Sequence, residues 1–127
     1  MSSELLSRLS VLVLEDEYLI AMDVEHLCLE HGAAHVNIIK DLDALDAGDP
    51  LPPFDLAVLD LMLGDRSTLG FAADLQARGI PFVFATGYGD LDEHASQFPG
   101  VAVVAKPYSG IDLVSALANA WRARKVC

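Results

Sequence analysis

The chain has 127 residues, 53% of them hydrophobic, which fits one domain of ordinary size with a single core and excludes intrinsic disorder. Its 8 basic residues stand against 19 acidic ones, and a net charge of −11 is the wrong balance for gripping nucleic acid or an anionic membrane. No apolar run approaches the roughly 20 residues of a membrane-spanning helix, and Met1-Ser2-Ser3-Glu4 lacks the basic start of a signal peptide, so a cytoplasmic chain is expected.

The elements follow in regular order. Residues 10–14, "SVLVL", are a short aliphatic run that reads as a buried strand. Residues 17–31 carry Ile20, Val24 and Leu27 at helical spacing, and Gly32 is a good stop. Residues 34–38 read as a second strand, and residues 41–47 as a weak helix ended by "GDPLPP". Residues 54–59, "FDLAVL", are a third strand, and residues 69–78 a helix ending at Gly79. Residues 81–85 form a fourth strand, residues 101–104 a fifth. The stretch between them, "GDLDEHASQFPG", is short and polar for a helix, and a short or mobile element is expected there. Residues 109–124 form the last helix, with Ser109 as N-cap, Asp112 at the third helical position, and Arg122, Arg124 and Lys125 complementing its C-terminus. Cys28 and Cys127 make no metal-ligand pattern and read as reduced thiols.

Strand and helix alternate, and the strands are almost continuously apolar. That implies a parallel sheet covered on both faces. Five strands in this length fit a doubly wound, flavodoxin-like α/β fold with strand order 2-1-3-4-5, whose site lies beyond the carboxyl ends of the strands. Those ends carry Glu15-Asp16-Glu17, then Asp60, then Thr86, then Lys106-Pro107. Taken singly, each has an ordinary structural explanation: a helix dipole partner, a turn residue, a cap. Together they demand a cation, because gathered carboxylates repel. Mg²⁺ (or Mn²⁺) suits oxygen ligands of this kind. A metal, a carboxylate nucleophile, a lysine and a hydroxyl make a phosphoryl-transfer set. Asp60 is the expected nucleophile. Asp16 is the expected direct metal ligand, with Glu15 through water and the Met62 backbone carbonyl completing the set. Lys106, and Thr86 with a neighbouring backbone N–H, would neutralise the remaining phosphoryl oxygens.

The pieces "VLVLEDE", "LAVLDLMLG", "FATG" and "VVAKPY" together resemble the receiver domain of two-component response regulators over essentially the whole chain. "PFVFATGYG" looks like the FAT GUY subgroup, often stand-alone and linked to general stress signalling. The resemblance implies Asp60 as phosphoacceptor, Thr86, Gly87, Tyr88 and Lys106 as phosphoryl-binding and switch positions, and a cis peptide bond before Pro107. It also implies a sensor histidine kinase as donor, with the HWE or HisKA2 type in view, and a histidine phosphotransfer protein or another protein as target. A single receiver domain over residues 1–127 without an output domain is expected, a monomer or a weak dimer through Leu19, Ile20 and Met22. The usual switch aromatic three residues before the lysine is replaced by Val103, and Tyr88 is the candidate substitute. Neither Met62 nor Tyr88 can position an attacking water, so slow self-dephosphorylation is expected and no enzymatic turnover beyond self-phosphorylation.

Three rivals are weaker. A haloacid-dehalogenase-type phosphatase needs an aspartate two residues after the nucleophile, where Met62 stands. A flavin binder needs a donor-rich phosphate loop after the first strand, where the acidic triplet would repel phosphate. A pseudo-receiver signalling by contact alone would have no use for Glu15, Asp16, Asp60, Thr86 and Lys106 together.

Overall fold

The computed structural model describes residues 5–43, 53–64, 66–86, 98, 101–105 and 110–124. Seven strands and three helices are described: β1 (Ser10–Leu14), α1 (Tyr18–Glu30), β2 (His35–Ile39), β3 (Leu56–Asp60), β4 (Met62–Leu63), β5 (Arg66–Ser67), α2 (Leu69–Ala77), β6 (Phe82–Thr86), β7 (Val103–Ala105) and α3 (Gly110–Ala123). Five strands form one parallel sheet in the order β2-β1-β3-β6-β7. This is the expected doubly wound topology, with the large sheet's strands in the order 2-1-3-4-5. β4 and β5 form a separate antiparallel pair, Met62 against Ser67 and Leu63 against Arg66. That small hairpin is a correction to the sequence reading, which has no strand between Asp60 and Leu69. Two-residue strands leave no periodic signal to read.

β1 and β3 are central, so both of their faces are covered. Every residue of β3 is buried, as are Val11 to Leu14 of β1. This explains why the runs are apolar without alternation. Strand alternation sends Val11, Val13, Leu56, Val58 and Val83 to one face of the sheet. There they pack with Val24 and Cys28 of α1 and Leu113 and Leu117 of α3. Leu12, Leu14, Ala57, Leu59, Phe82 and Phe84 go to the other face, with Leu75 of α2 and Phe98. Phe82, Phe84 and Phe98 meet edge to face at centroid distances of 5.5, 5.9 and 5.5 Å. Such pairs contribute about 0.5–1.5 kcal/mol each beyond their buried area.

α1 and α2 end alike. After α1 the Gly32 N–H donates to Leu29 (3.1 Å) and the Ala33 N–H to Cys28 (3.0 Å). After α2 the Gly79 N–H donates to Gln76 (3.1 Å) and the Ile80 N–H to Leu75 (3.0 Å). Both are Schellman stops, which need a left-handed residue, and Gly32 (φ 96°) and Gly79 (φ 73°) provide it. The chain is thereby turned back into β2 and β6. At the C-terminus of α3, Arg124 lies over the Trp121 ring, 3.4 Å from its centroid, and donates to the Trp121 carbonyl. Asp112 stands in the first turn of α3 and Arg122 in its last, as expected from the dipole. Ser109, Lys125, the weak helix beyond residue 43 and nearly all of residues 89–100 lie outside the described residues. Among the described residues, no helix is long and apolar enough to cross a membrane.

Candidate acidic metal site

Parallel pairing builds the site. Val13 is paired with Val58 and Leu14 with Leu59, so Glu15 and Asp16 leave β1 beside Asp60, the last residue of β3. One carboxylate oxygen from each of Glu15, Asp16 and Asp60 lies within 4.8 Å of the others. Glu15 is 3% and Asp60 8% exposed, while Asp16 is exposed. The cluster thus has a buried floor and a wet side.

Backbone donors orient each carboxylate. Glu15 accepts from the Glu17 N–H at 3.1 Å, and its own N–H extends the ladder to Ile39 at 3.1 Å. The Glu17 N–H lies at the N-cap position of α1, which has no side-chain cap of its own. Glu15 therefore serves the start of the helix and faces the cluster as well. Asp16 Oδ2 accepts from the Gly64 N–H at 3.0 Å, tying the β4–β5 hairpin to the tip of β1. Arg66 of the same hairpin reaches Asp43 at 3.5 Å. Asp60 Oδ1 accepts from the Met62 N–H at 3.4 Å, a long bond. Three carboxylates this close repel, and a bound cation is the natural relief. The donors are all hard oxygens, two of them sheltered, which matches Mg²⁺ or Mn²⁺ better than a soft metal.

Of the other expected site residues, Thr86 ends β6, and its backbone pairs with Ala105 one step beyond the pairing of Ala85 with Asp60. The next residue after Ala105 is Lys106. Lys106, Gly87, Tyr88 and Pro107 lie outside the described residues. Val103, in the place of the usual aromatic, pairs with Phe84 and packs against the phenylalanine side of the core.

Two residues passed over in the sequence reading belong to the surroundings of the site. Gly64 holds Asp16 through its backbone, which no side-chain motif reveals. Thr68 is fully buried, and its hydroxyl donates to the Asp60 carbonyl at 2.6 Å. Its sequence signal, a threonine before a helical run, is that of an ordinary N-cap. Away from the site, burial pushes the Cys28 thiol up to about 12 and so keeps it protonated and inert.

No protein-family model matches the chain, and no curated protein matches its sequence. Solved structures do resemble it. A response regulator receiver protein from Sinorhizobium medicae superimposes with a TM-score of 0.80 at 19% identity, over 93% of this chain and 98% of the other. The receiver domain of the response regulator PhyR from Erythrobacter litoralis gives 0.73 at 24% identity, over 95% of each chain. The N-terminal signal receiver domain of a Bacteroides fragilis response regulator gives 0.74 at 22%, over 91% of this chain and 98% of that one. The flavodoxin-like sheet of this chain is therefore the receiver fold, with an acidic cluster at the carboxyl edge of its central strands.

Proposed function

We propose that the chain is a phosphoacceptor receiver, a single-domain response regulator of the FAT GUY subgroup, whose Asp60 accepts a phosphoryl group from a histidine kinase. The observation that carries this reading is the meeting of Glu15, Asp16 and Asp60 within 4.8 Å at the carboxyl edge of the receiver fold. Asp60 is the acceptor because it ends the central strand, while Glu15 and Asp16 arrive together from the neighbouring one. An Asp60 oxygen attacks phosphorus, the donor's P–N bond breaks, and its electron pair returns to the imidazole nitrogen. Glu15, Asp16, Asp60 and the Met62 carbonyl are the proposed holders of Mg²⁺ or Mn²⁺. When bound, the ion neutralises charge on the phosphoryl oxygens. Lys106 and Thr86, with the adjoining Gly87 and Tyr88, take the remaining oxygens. The chain is not otherwise an enzyme, and its phosphoryl group is slow to hydrolyse. A half-life of seconds would contradict that.

A protein donor suits the rim of the site. Leu19 is 77% and Ile111 55% exposed, in the first turns of α1 and α3, which pack on the same face of the sheet. Exposed apolar side chains at the start of α1, three residues beyond Asp16, and at the start of α3 favour a macromolecular surface over a small phosphodonor alone. A sensor kinase of the HWE or HisKA2 type is the proposed partner, a histidine phosphotransfer protein or another protein the target, and the cytoplasm the proposed location. Leu19 and Met22 of α1 are exposed and allow a monomer or a weak dimer, whereas Ile20, expected with them, packs against the core. The test is intact-protein mass after incubation with acetyl phosphate and Mg²⁺. Gain of one phosphoryl group in the wild type, absent in Asp60→Asn and absent without metal, is expected. No gain and no metal binding would favour a pseudo-receiver.

A further inference from the structure

Thr68 stands directly before α2, where a threonine ordinarily caps the helix with its own hydroxyl. No such cap bond is made. The hydroxyl turns back and donates to the Asp60 carbonyl at 2.6 Å, with the Leu61 carbonyl at 3.3 Å. The Thr68 backbone N–H donates to that Leu61 carbonyl at 3.0 Å. One fully buried residue therefore ties down both carbonyls of the turn that leaves β3.

The consequence is mechanical. A peptide unit is planar, and its C=O and N–H point in opposite directions. Holding the Leu61 carbonyl aims the N–H of the same unit, that of Met62, the other way. That N–H is the one that donates to Asp60 Oδ1. Holding the Asp60 carbonyl sets the preceding unit and hence the base of the Asp60 side chain. We propose that Thr68 is a positioning residue for the acidic site, setting the Asp60 carboxylate and the Met62 backbone against Glu15 and Asp16. The inference rests on the receiver reading for its meaning, and on hydrogen-bond geometry for its content.

Thr68→Val removes the hydroxyl at nearly constant volume, and Thr68→Ser keeps it. Ala72→Gly loosens the same helix one turn beyond Thr68, at a buried residue whose side chain carries no hydrogen-bonding group and whose backbone N–H to the Thr68 carbonyl is kept, and it serves as a control for lost stability. Mn²⁺ binding is followed by electron paramagnetic resonance of the free ion, phosphoryl uptake from acetyl phosphate by mass, and folding by thermal melts. Thr68→Val is expected to weaken Mn²⁺ binding about tenfold, the order seen when a residue supporting a metal ligand is removed. Its phosphorylation should slow at saturating metal, Thr68→Ser should restore both, and Ala72→Gly should lower only the melting temperature. Unchanged Mn²⁺ affinity in Thr68→Val, or equal weakening in Ala72→Gly, would overturn the proposal. A wild type that binds Mn²⁺ but takes up no phosphoryl group would sink the receiver reading alone, since the affinity comparison still decides on Thr68. A wild type that binds no Mn²⁺ would overturn both.

Discussion

Asp55 stands immediately before β3 and Asp60 ends it, so the same side chain flanks one central strand in two different settings. At the amino end Asp55 Oδ2 accepts from the Ser10 N–H at 2.9 Å, the first residue of the neighbouring β1. Other backbone bonds close that end as well: Leu6 to His31 at 2.9 Å, Arg8 to Gly32 at 3.0 Å and Ala34 to Leu9 at 2.7 Å. Asp55 is one more link in a structural seam. At the carboxyl end Asp60 meets two further carboxylates within 4.8 Å, and its own backbone donor is a long 3.4 Å away. An aspartate becomes a candidate site when its surroundings gather further carboxylates around it.

The comparison can be broken at several points. The largest expected effect is complete loss of phosphoryl gain in Asp60→Asn with full retention in Asp55→Asn, read by intact mass. Equal gain in both variants would end the distinction. Next comes the response to metal. At a hundredfold excess over its dissociation constant, Mg²⁺ should stabilise the wild type by about 2.7 kcal/mol, seen as a rise of several degrees in Tm. Asp60→Asn should show much less of that rise. Without metal and at low salt it should melt above the wild type, because one of three crowded charges is gone. A melt below the wild type under those conditions would mean that the carboxylates are not in electrostatic conflict. Asp55→Ala should act in the opposite sense. Removing the acceptor for the Ser10 N–H should cost about 1–2 kcal/mol in urea unfolding, with or without Mg²⁺. A metal-dependent loss would place Asp55 in the wrong class.

The smallest effect concerns Cys28, on the α1 side of the core. Burial raises its pKa from 9.0 to about 12, so the folded state holds a proton that the unfolded state releases more readily. The resulting stability is fully present below pH 9 and is lost as the pH rises from there toward 12. The difference in unfolding free energy between wild type and Cys28→Ala should therefore be flat up to about pH 8 and shrink above pH 9. A difference that stays constant to pH 10.5 (still below the raised value of about 12) would contradict the burial argument. In Cys127→Ser, the remaining thiol should react with an alkylating reagent only after denaturation.

Much of this molecule is legible in its residue order. Apolar runs gave strand positions to within two residues, and most closely for β1, whose residues Val11 to Leu14 are all buried and leave no polar position to confuse the reading. Gly32 and Gly79 marked two helix ends, since a Schellman stop needs a left-handed residue wherever it occurs. The carboxylates followed from knowing which ends of the strands face the site. The β4–β5 hairpin, the Gly64 grip on Asp16 and the reversed bond of Thr68 were not legible. Each depends on backbone atoms that every residue type shares, or on a side chain whose local meaning was a helix cap. Sequence by itself determined the strands of the large sheet, the helices between them, their order and the side chains available at each strand tip, because these follow from short-range sterics and from hydrophobic period. Only the tertiary structure decided that the Gly64 N–H grips Asp16, and that Thr68 serves the strand instead of its own helix. Those outcomes depend on which strand pairs with which and in what register, and pairing joins residues that are far apart along the chain.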